Sequence, residues 1–271
     1  MASRLADAGF VPVDEKGRFP RGAGRFFVVR HGAVIAWRQP ERIDEATGLR
    51  VVGAHTDSPA LKVKPEASFS FRGWGQIAVE IYGGALLNSW LDRELGIAGR
   101  IITRDGAQHL VRLDSVARLP QLAIHLDRGV NTEGLTLDPQ KHLHPVWTVD
   151  NPYGNVLEYV ARTAGLADAS GVAAFDLILT PSQGPGFFGD KGQFVAASRQ
   201  DNLSSVHPGL VALERLASEG VPESGDVTVF VCFDHEEVGS GSRTGAAGPL
   251  LETVLHRTAA SLGRDADGYE R

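Results

Sequence analysis

The segment Val227-Thr228-Val229-Phe230-Val231-Cys232-Phe233 constrains this chain more than any other. It is a short, nearly unbroken apolar run and reads as a buried strand. It stops abruptly on four ionisable residues, Asp234-His235-Glu236-Glu237, and a Gly/Ser-rich loop, Gly239 to Gly248, follows. A core strand that delivers adjacent carboxylates to its C-terminal end is where an open α/β sheet usually keeps its chemistry. Two neighbouring Glu residues there repel each other unless something positive sits between them. A divalent metal is the simplest answer, with one Glu as ligand and the other managing a proton. The competing reading is a solvated acidic loop after an edge strand.

The same pattern occurs a second time. Leu49-Arg50-Val51-Val52-Gly53-Ala54 reads as an apolar strand that ends at His55-Thr56-Asp57-Ser58-Pro59. A third segment, Gly192 to Ala197, reads as a strand leading into Ser198-Arg199-Gln200-Asp201-Asn202. Three strand ends thus offer His55 and Asp57, Asp201, and Glu236 and Glu237. Such mixed N/O donors from separate sheet positions are what hard or borderline divalent metals require. A carboxylate such as Asp201 can bridge two ions, and Asp57, two residues past His55, is suited to orient that imidazole.

Around these strands the chain predicts a short N-terminal helix and a hairpin, Phe26–Val29 with Ala33–Trp37, turning at Arg30-His31-Gly32. A helix carrying Leu210, Leu213 and Leu216 follows Asp201, its regular part expected to start near Pro208-Gly209. A last helix is predicted from Pro249 to about Leu262, with Leu250, Val254 and Leu255 as its apolar face and a polar tail after it. Between the halves the texture changes. Ile77–Tyr82 alternates, Arg100–Thr103 and Gln108–Leu113 form a hairpin pattern around Arg104–Ala107, and Gln121–Leu126 is a further strand candidate. A helix is expected over Pro152–Thr163. Many short strands at close spacing mark a β-rich module. The expected fold is an α/β domain in two halves, residues 1–65 and 195–271, with residues 66–194 inserted as a β-rich domain.

Composition excludes some classes of function. A formal net charge of -6 argues against a general nucleic-acid or anionic-membrane surface. No apolar run approaches the ~20 residues that span a bilayer, and Met1–Asp7 carry no signal-peptide h-region. The one cysteine, Cys232, cannot form an internal disulfide and reads as a buried small hydrophobe. Together these predict a soluble cytoplasmic protein. No Gly-x-Gly-x-x-Gly follows a strand, and there is neither a Walker-type Gly-Lys-Ser/Thr nor a Gly-x-Ser-x-Gly elbow. Ser240 and Ser242 lack an obvious His base and read as ordinary loop residues. His142 and His144 read as surface polar, and His235 is left without a role.

Longer matches carry a resemblance. His55-Thr56-Asp57-Ser58-Pro59-Ala60-Leu61-Lys62-Val63-Lys64-Pro65 resembles the first metal motif of the aspartyl aminopeptidase (M18) family of metallopeptidases. The likeness continues through Val79–Asn88, Trp90–Leu95, Leu122–Asn131, Asp201-Asn202-Leu203 and Asp234–Ser240, in the family's order. It implies an aminopeptidase that hydrolyses an N-terminal acidic residue (Asp or Glu) from peptides with two Zn²⁺ ions, Mn²⁺ or Co²⁺ being alternatives. His55 would bind one zinc, Glu237 the other, and Asp201 would bridge them. Glu236 would be the general base and Asp57 the partner of His55. His125 would reach a neighbouring subunit's active site in a homo-oligomer, built through an inserted dimerisation and lid domain.

The resemblance also implies departures. The family's chain is expected to run beyond Arg271, with an Asp-containing motif and a late His that complete the two metal sites. His256, Asp265 and Asp267 are not expected to replace them, and Gln200 stands where the family has an apolar residue. The rival expectation is therefore a truncated, catalytically inactive homologue that keeps oligomerisation or partner binding. A different dinuclear metallohydrolase acting on amides is a third, disfavoured by the segments around Trp90 and His125.

Overall fold

A computed structural model of the chain describes residues 1–150 and 154–264. The first elements are helix α1 (Ala2–Asp7) and strands β1 (Val11–Pro12), β2 (Gly24–Arg30), β3 (Ala33–Gln39) and β4 (Leu49–His55). Strands β5 (Ala60–Phe71), β6 (Trp74–Tyr82), β7 (Glu94–Thr103), β8 (Gln108–Arg118) and β9 (Val146–Val149) come next. Helix α2 (Val156–Thr163) precedes β10 (Val172–Pro181), β11 (Gly186–Phe188) and β12 (Phe194–Ala196). Helix α3 (Gln200–Ser218), strand β13 (Val227–Phe233) and helix α4 (Leu250–Ser261) complete the order.

The chain divides into two units, one of residues 1–58 with 199–271 and the other of residues 59–198. The sequence-based limits of the insertion, 66 and 194, both fall inside the second unit, because β5 starts at Ala60 and runs through Glu66 unbroken.

The first unit is built on a mixed five-stranded sheet in the order β1-β2-β3-β13-β4. Strand β13 lies between β3, antiparallel to it, and β4, parallel to it. It is therefore an interior strand, which removes the edge-strand reading. Alternation along β13 splits its side chains between two cores. Phe230 and Cys232 join Leu5, Phe27, Val34 and residues Val206, Leu210, Leu213 and Ala217 of α3. Val227, Val229 and Val231 join Val28, Ile35 and Trp37 against Leu250 and Val254 of α4. A strand covered by a helix on each face needs apolar residues at nearly every position, which accounts for the unbroken run.

Helix α3 does not wait for Pro208 as the sequence suggested. Its non-helical backbone is confined to Asp201 and Asn202, so it is regular well before the proline. Pro208 faces solvent, and Gly209 has a packing reason instead. A Cβ there would lie 2.4 Å from the Phe230 ring, so only glycine lets the helix pack this closely on β13.

The second unit is a closed barrel, β10-β5-β6-β9-β8-β7, filled by residues including Leu61, Ile77, Leu95, Ile97, Ile101, Leu177 and Leu179. Closure removes the free edges an open sheet would present. Gly99 serves it directly, since a Cβ would meet the Asp176 carbonyl oxygen at 2.0 Å. Helix α2 is capped by Asn155, whose Oδ1 accepts the Glu158 N–H at 3.0 Å; the earlier start expected at Pro152 lies outside the described residues.

Two strand expectations are corrected. Gln121–Leu126 is irregular, and Leu122, Ile124 and Leu126 are exposed, so the alternation there has no partner strand. Residues 194–196 do form a strand, but β12 pairs only with β11 in an exposed ribbon and is no part of the sheet that carries β13. Most of the tail read after Gly263, with Asp265 and Asp267, lies outside the described residues. Among the described residues no helix is long and apolar enough to cross a membrane.

Candidate metal centre

The register between β4 and β13 builds the site. The strands are parallel with His55 beside Phe233, so both leave the sheet at the same end. The Thr56 N–H donates to the Phe233 carbonyl at 2.8 Å, carrying the pairing one residue further. Thr56 Oγ1 donates to the Gly32 carbonyl at 2.8 Å, in the turn between β2 and β3. Asp57 is thereby held against the turn after β13.

That turn is a single 3-10 turn, Glu236–Val238. Asp57 Oδ1 accepts the Glu236 N–H and Oδ2 accepts the Glu237 N–H, each at 3.1 Å. His55 Nδ1 lies 3.3 Å from the same Oδ1 and 3.2 Å from the Asp57 carbonyl oxygen. An imidazole with Nδ1 turned to a carboxylate has Nε2 available as a donor atom for a metal. His55 Nε2 points to Asp201 Oδ1 at 3.2 Å and to Glu236 Oε2 at 3.8 Å.

Asp201 arrives from the start of α3 rather than from a strand of the sheet. Arg199 turns the chain with φ 61°, the Asp201–Asn202 peptide bond is cis, and Ser58 Oγ donates to the Asp201 carbonyl at 2.8 Å. The Asp201 carboxylate is 81% exposed, whereas the side chains of His55 and Asp57 are 10% and 8% exposed. The inner pair is fixed and the outer carboxylate is open to solvent.

Charge in the site is unbalanced. Burial, followed by the charges of Asp57, Asp201 and Glu236, pushes the Glu237 carboxyl above its ordinary value, with His55 opposing. The donor atoms of His55, Glu236 and Glu237 lie within 4.8 Å of one another. An imidazole nitrogen among converging carboxylate oxygens is a donor set zinc accepts, and a cation would relieve the repulsion that raises Glu237. The residues present fit a divalent metal.

Five of the six residues singled out in the sequence converge here: His55, Asp57, Asp201, Glu236 and Glu237. The sixth, His125, is exposed in the irregular stretch of the second unit. His142 and His144 serve local turns, His142 Nδ1 accepting the Asp138 N–H at 2.9 Å and His144 Nε2 facing the Gln140 carbonyl at 2.7 Å. Cys232 is fully buried, and burial pushes its thiol up to about 12, so it is no nucleophile.

One expectation about the loop was wrong. Ser242 does have a histidine beside it, with His235 Nδ1 2.7 Å from its Oγ. The same Oγ accepts the Gly245 N–H at 3.1 Å, so the hydroxyl closes a turn. Serine three residues before glycine in a Gly/Ser-rich loop was the available signal for such a turn.

Comparison with known proteins shows the family of the chain. The family model for aminopeptidase I zinc metalloprotease (M18) matches residues 1–270. A relative from Streptomyces avermitilis described as "Probable M18 family aminopeptidase 2" is 48% identical over 260 residues, covering 95% of this chain and 60% of the relative. One of the same description from Streptomyces coelicolor is 47% identical over 265 residues, 97% of this chain and 61% of that protein. The chain thus spans about 60% of the length of the curated relatives it matches. Among solved structures, the crystal structure of prApe1 superposes with a TM-score of 0.90 at 28% identity, over 99% of this chain and 63% of that one. The S. cerevisiae mApe1 dodecamer gives 0.81 at 28% identity, over 97% and 62%. With its strand-end motifs converging as described and the family model spanning nearly its whole length, the chain belongs to the M18 family of zinc metalloproteases.

Proposed function

We propose that this chain carries the proton-transfer carboxylate and part of the metal cage of a zinc-dependent aminopeptidase that removes an N-terminal acidic residue from peptides. One observation carries the reading. The Asp57 carboxylate holds the backbone of both Glu236 and Glu237 while lying 3.3 Å from His55 Nδ1, so a single buried group orients three of the working side chains.

In this reading His55, Asp201 and Glu237 would be the residues that hold the metal, Asp201 being the carboxylate that two ions could share. Zinc, when bound, supplies a Lewis acid that makes water a nucleophile near neutral pH. Glu236, exposed on the open side of the cluster, takes the proton of the attacking water and delivers it to the leaving amine nitrogen. The peptide C–N bond breaks, a carboxylate forms, and the shortened peptide leaves with a free amine. Preference for an acidic first residue, homo-oligomerisation through the inserted unit, and the role of His125 at a neighbour's site rest on the family resemblance. The dodecameric mApe1 neighbour supports assembly. A cytoplasmic location rests on the single, unpaired Cys232.

A second reading, assembly without turnover, is favoured by the donor set. If Asp201 is shared, the assigned ligands among the described residues, His55 with Asp201 and Glu237 with Asp201, give two protein donors per ion, against about three in ordinary catalytic zinc sites. The test is hydrolysis of Asp- and Glu-aminoacyl substrates, with Leu-aminoacyl substrate as comparison, by the 271-residue chain in added Zn²⁺ or Mn²⁺. Turnover that a chelator abolishes supports the first reading. Absence of turnover by folded, zinc-loaded chain supports the second.

A further inference from the structure

We propose that His235, latched by Ser242, is a positioning residue that holds the turn carrying Glu236 and Glu237 in its metal-binding geometry. The inference rests on the reading of that pair as zinc-site residues. Asp57 secures the turn from one side only. From the other side the turn is tied to the Gly/Ser-rich loop, and the ties converge on His235.

His235 adopts a left-handed backbone with φ 62°, which reverses the chain between β13 and Glu236. Its carbonyl accepts the Ser240 N–H at 2.9 Å. Its Nδ1 lies 2.7 Å from Ser242 Oγ and 3.3 Å from Thr244 Oγ1, the latter on a fully buried residue. Ser242 Oγ also accepts the Gly245 N–H, and its hydroxyl can meet Nδ1 as donor or acceptor according to the imidazole tautomer. The loop is also bound to the end of β13, the Asp234 N–H donating to the Thr244 carbonyl at 3.2 Å.

Close packing keeps the loop in this place. A Cβ on Gly245 would meet the Ser240 carbonyl oxygen at 2.2 Å, and one on Gly248 the Ser242 carbonyl oxygen at 1.9 Å. On the strand side, Asp234 Oδ2 accepts the Gly32 N–H at 3.2 Å, and a Cβ on Gly32 would meet that carboxylate at 2.6 Å. The imidazole thus adds a side-chain connection between this closely packed loop and the turn of the two glutamates, beside the backbone ties at Ser240 and Asp234, and its contact with Ser242 Oγ orients the ring.

The test uses the full chain with two readouts. Amide hydrogen exchange of Glu236, Glu237 and Ser240 is followed in the metal-free protein, and Zn²⁺ affinity is measured by competition with a chelating dye. Variants are S242A, H235L and H235N, with E237Q as ligand control. Asparagine tolerates the left-handed backbone and offers an amide oxygen near the Nδ1 position. S242A and H235L are expected to lose about tenfold in amide protection and about tenfold in zinc affinity, the usual effect of removing a group that orients a ligand. H235N is expected to stay within about threefold of wild type in both. Unchanged protection and affinity in S242A and H235L would overturn the proposal, as would an H235N no better than H235L. Loss of protection in a chain whose zinc affinity is unaffected by E237Q would instead support the latch and overturn the zinc reading.

Discussion

Asp57 Oδ2 accepts the backbone N–H of Glu237 at 3.1 Å across 180 residues of sequence. Its other oxygen does the same for Glu236 and lies beside His55 Nδ1. A carboxylate buried to this degree and satisfied by backbone donors serves as a brace between two strand ends, so the candidate metal-binding side chains that follow β4 and β13 are set by one group.

Removing one of its acceptor oxygens should loosen both ends. In D57N the amide NH₂ faces a backbone N–H that it cannot accept, so one of the two hydrogen bonds that hold the turn is lost, at a cost of about 0.5–1.5 kcal/mol. The melting temperature should fall, and zinc affinity should drop roughly 10- to 100-fold. Calorimetric melts and zinc titration check both.

The raised carboxyl of Glu237 makes the metal-free protein pH-sensitive in a definite direction. Its folded value lies above the ordinary 4.5, so the folded state holds this proton more tightly than the unfolded one. That contribution is complete below about pH 4.5 and is lost as pH rises through the folded value. In chelator, E237Q should therefore melt above wild type at pH 7, with the gap closing toward pH 4. A lower melting temperature for E237Q at pH 7 would contradict the assignment.

Gly209 should be intolerant of any side chain. In G209A the new methyl meets the Phe230 ring, and overpacking of this kind costs about 1–3 kcal/mol. Alanine is normally the better helix former, so a denaturant midpoint that falls rather than rises distinguishes packing from propensity.

Cys232 should be inert. With no exposed surface and a thiol pushed up to about 12, it should resist aromatic disulfide reagents in the native chain at pH 8 and react on denaturation. C232A should keep zinc affinity within about threefold of wild type, since Cys232 belongs to the core and not to the site.

Much of the site was legible because β4 and β13 are apolar runs that stop on polar donors, and strand period and strand end can both be read locally. Pairing partners cannot. The Phe194–Ala196 segment has the apolarity of a sheet strand, yet it pairs with Gly186–Phe188 outside the sheet. Asp201 thus comes beside His55, but from the start of α3 and not from a strand of the sheet. The alternation of Leu122, Ile124 and Leu126 likewise looked like a strand with no partner to complete it. Pro208-Gly209 read as a helix start because the proline was visible and the Phe230 ring beneath the glycine was not. The double role of Asp57 and the Ser242–His235 contact depend on tertiary closeness and backbone reversal, which spacing does not encode.

The division of labour between the two adjacent glutamates is the central claim, and E236Q tests it directly. The exchange keeps shape and removes the carboxylate that accepts a proton. Zinc affinity of E236Q, measured beside turnover of an Asp-aminoacyl substrate, should stay within about threefold of wild type while turnover falls by at least about 100-fold. Loss of zinc binding together with turnover would make Glu236 a ligand, and full turnover in E236Q would remove it from the chemistry.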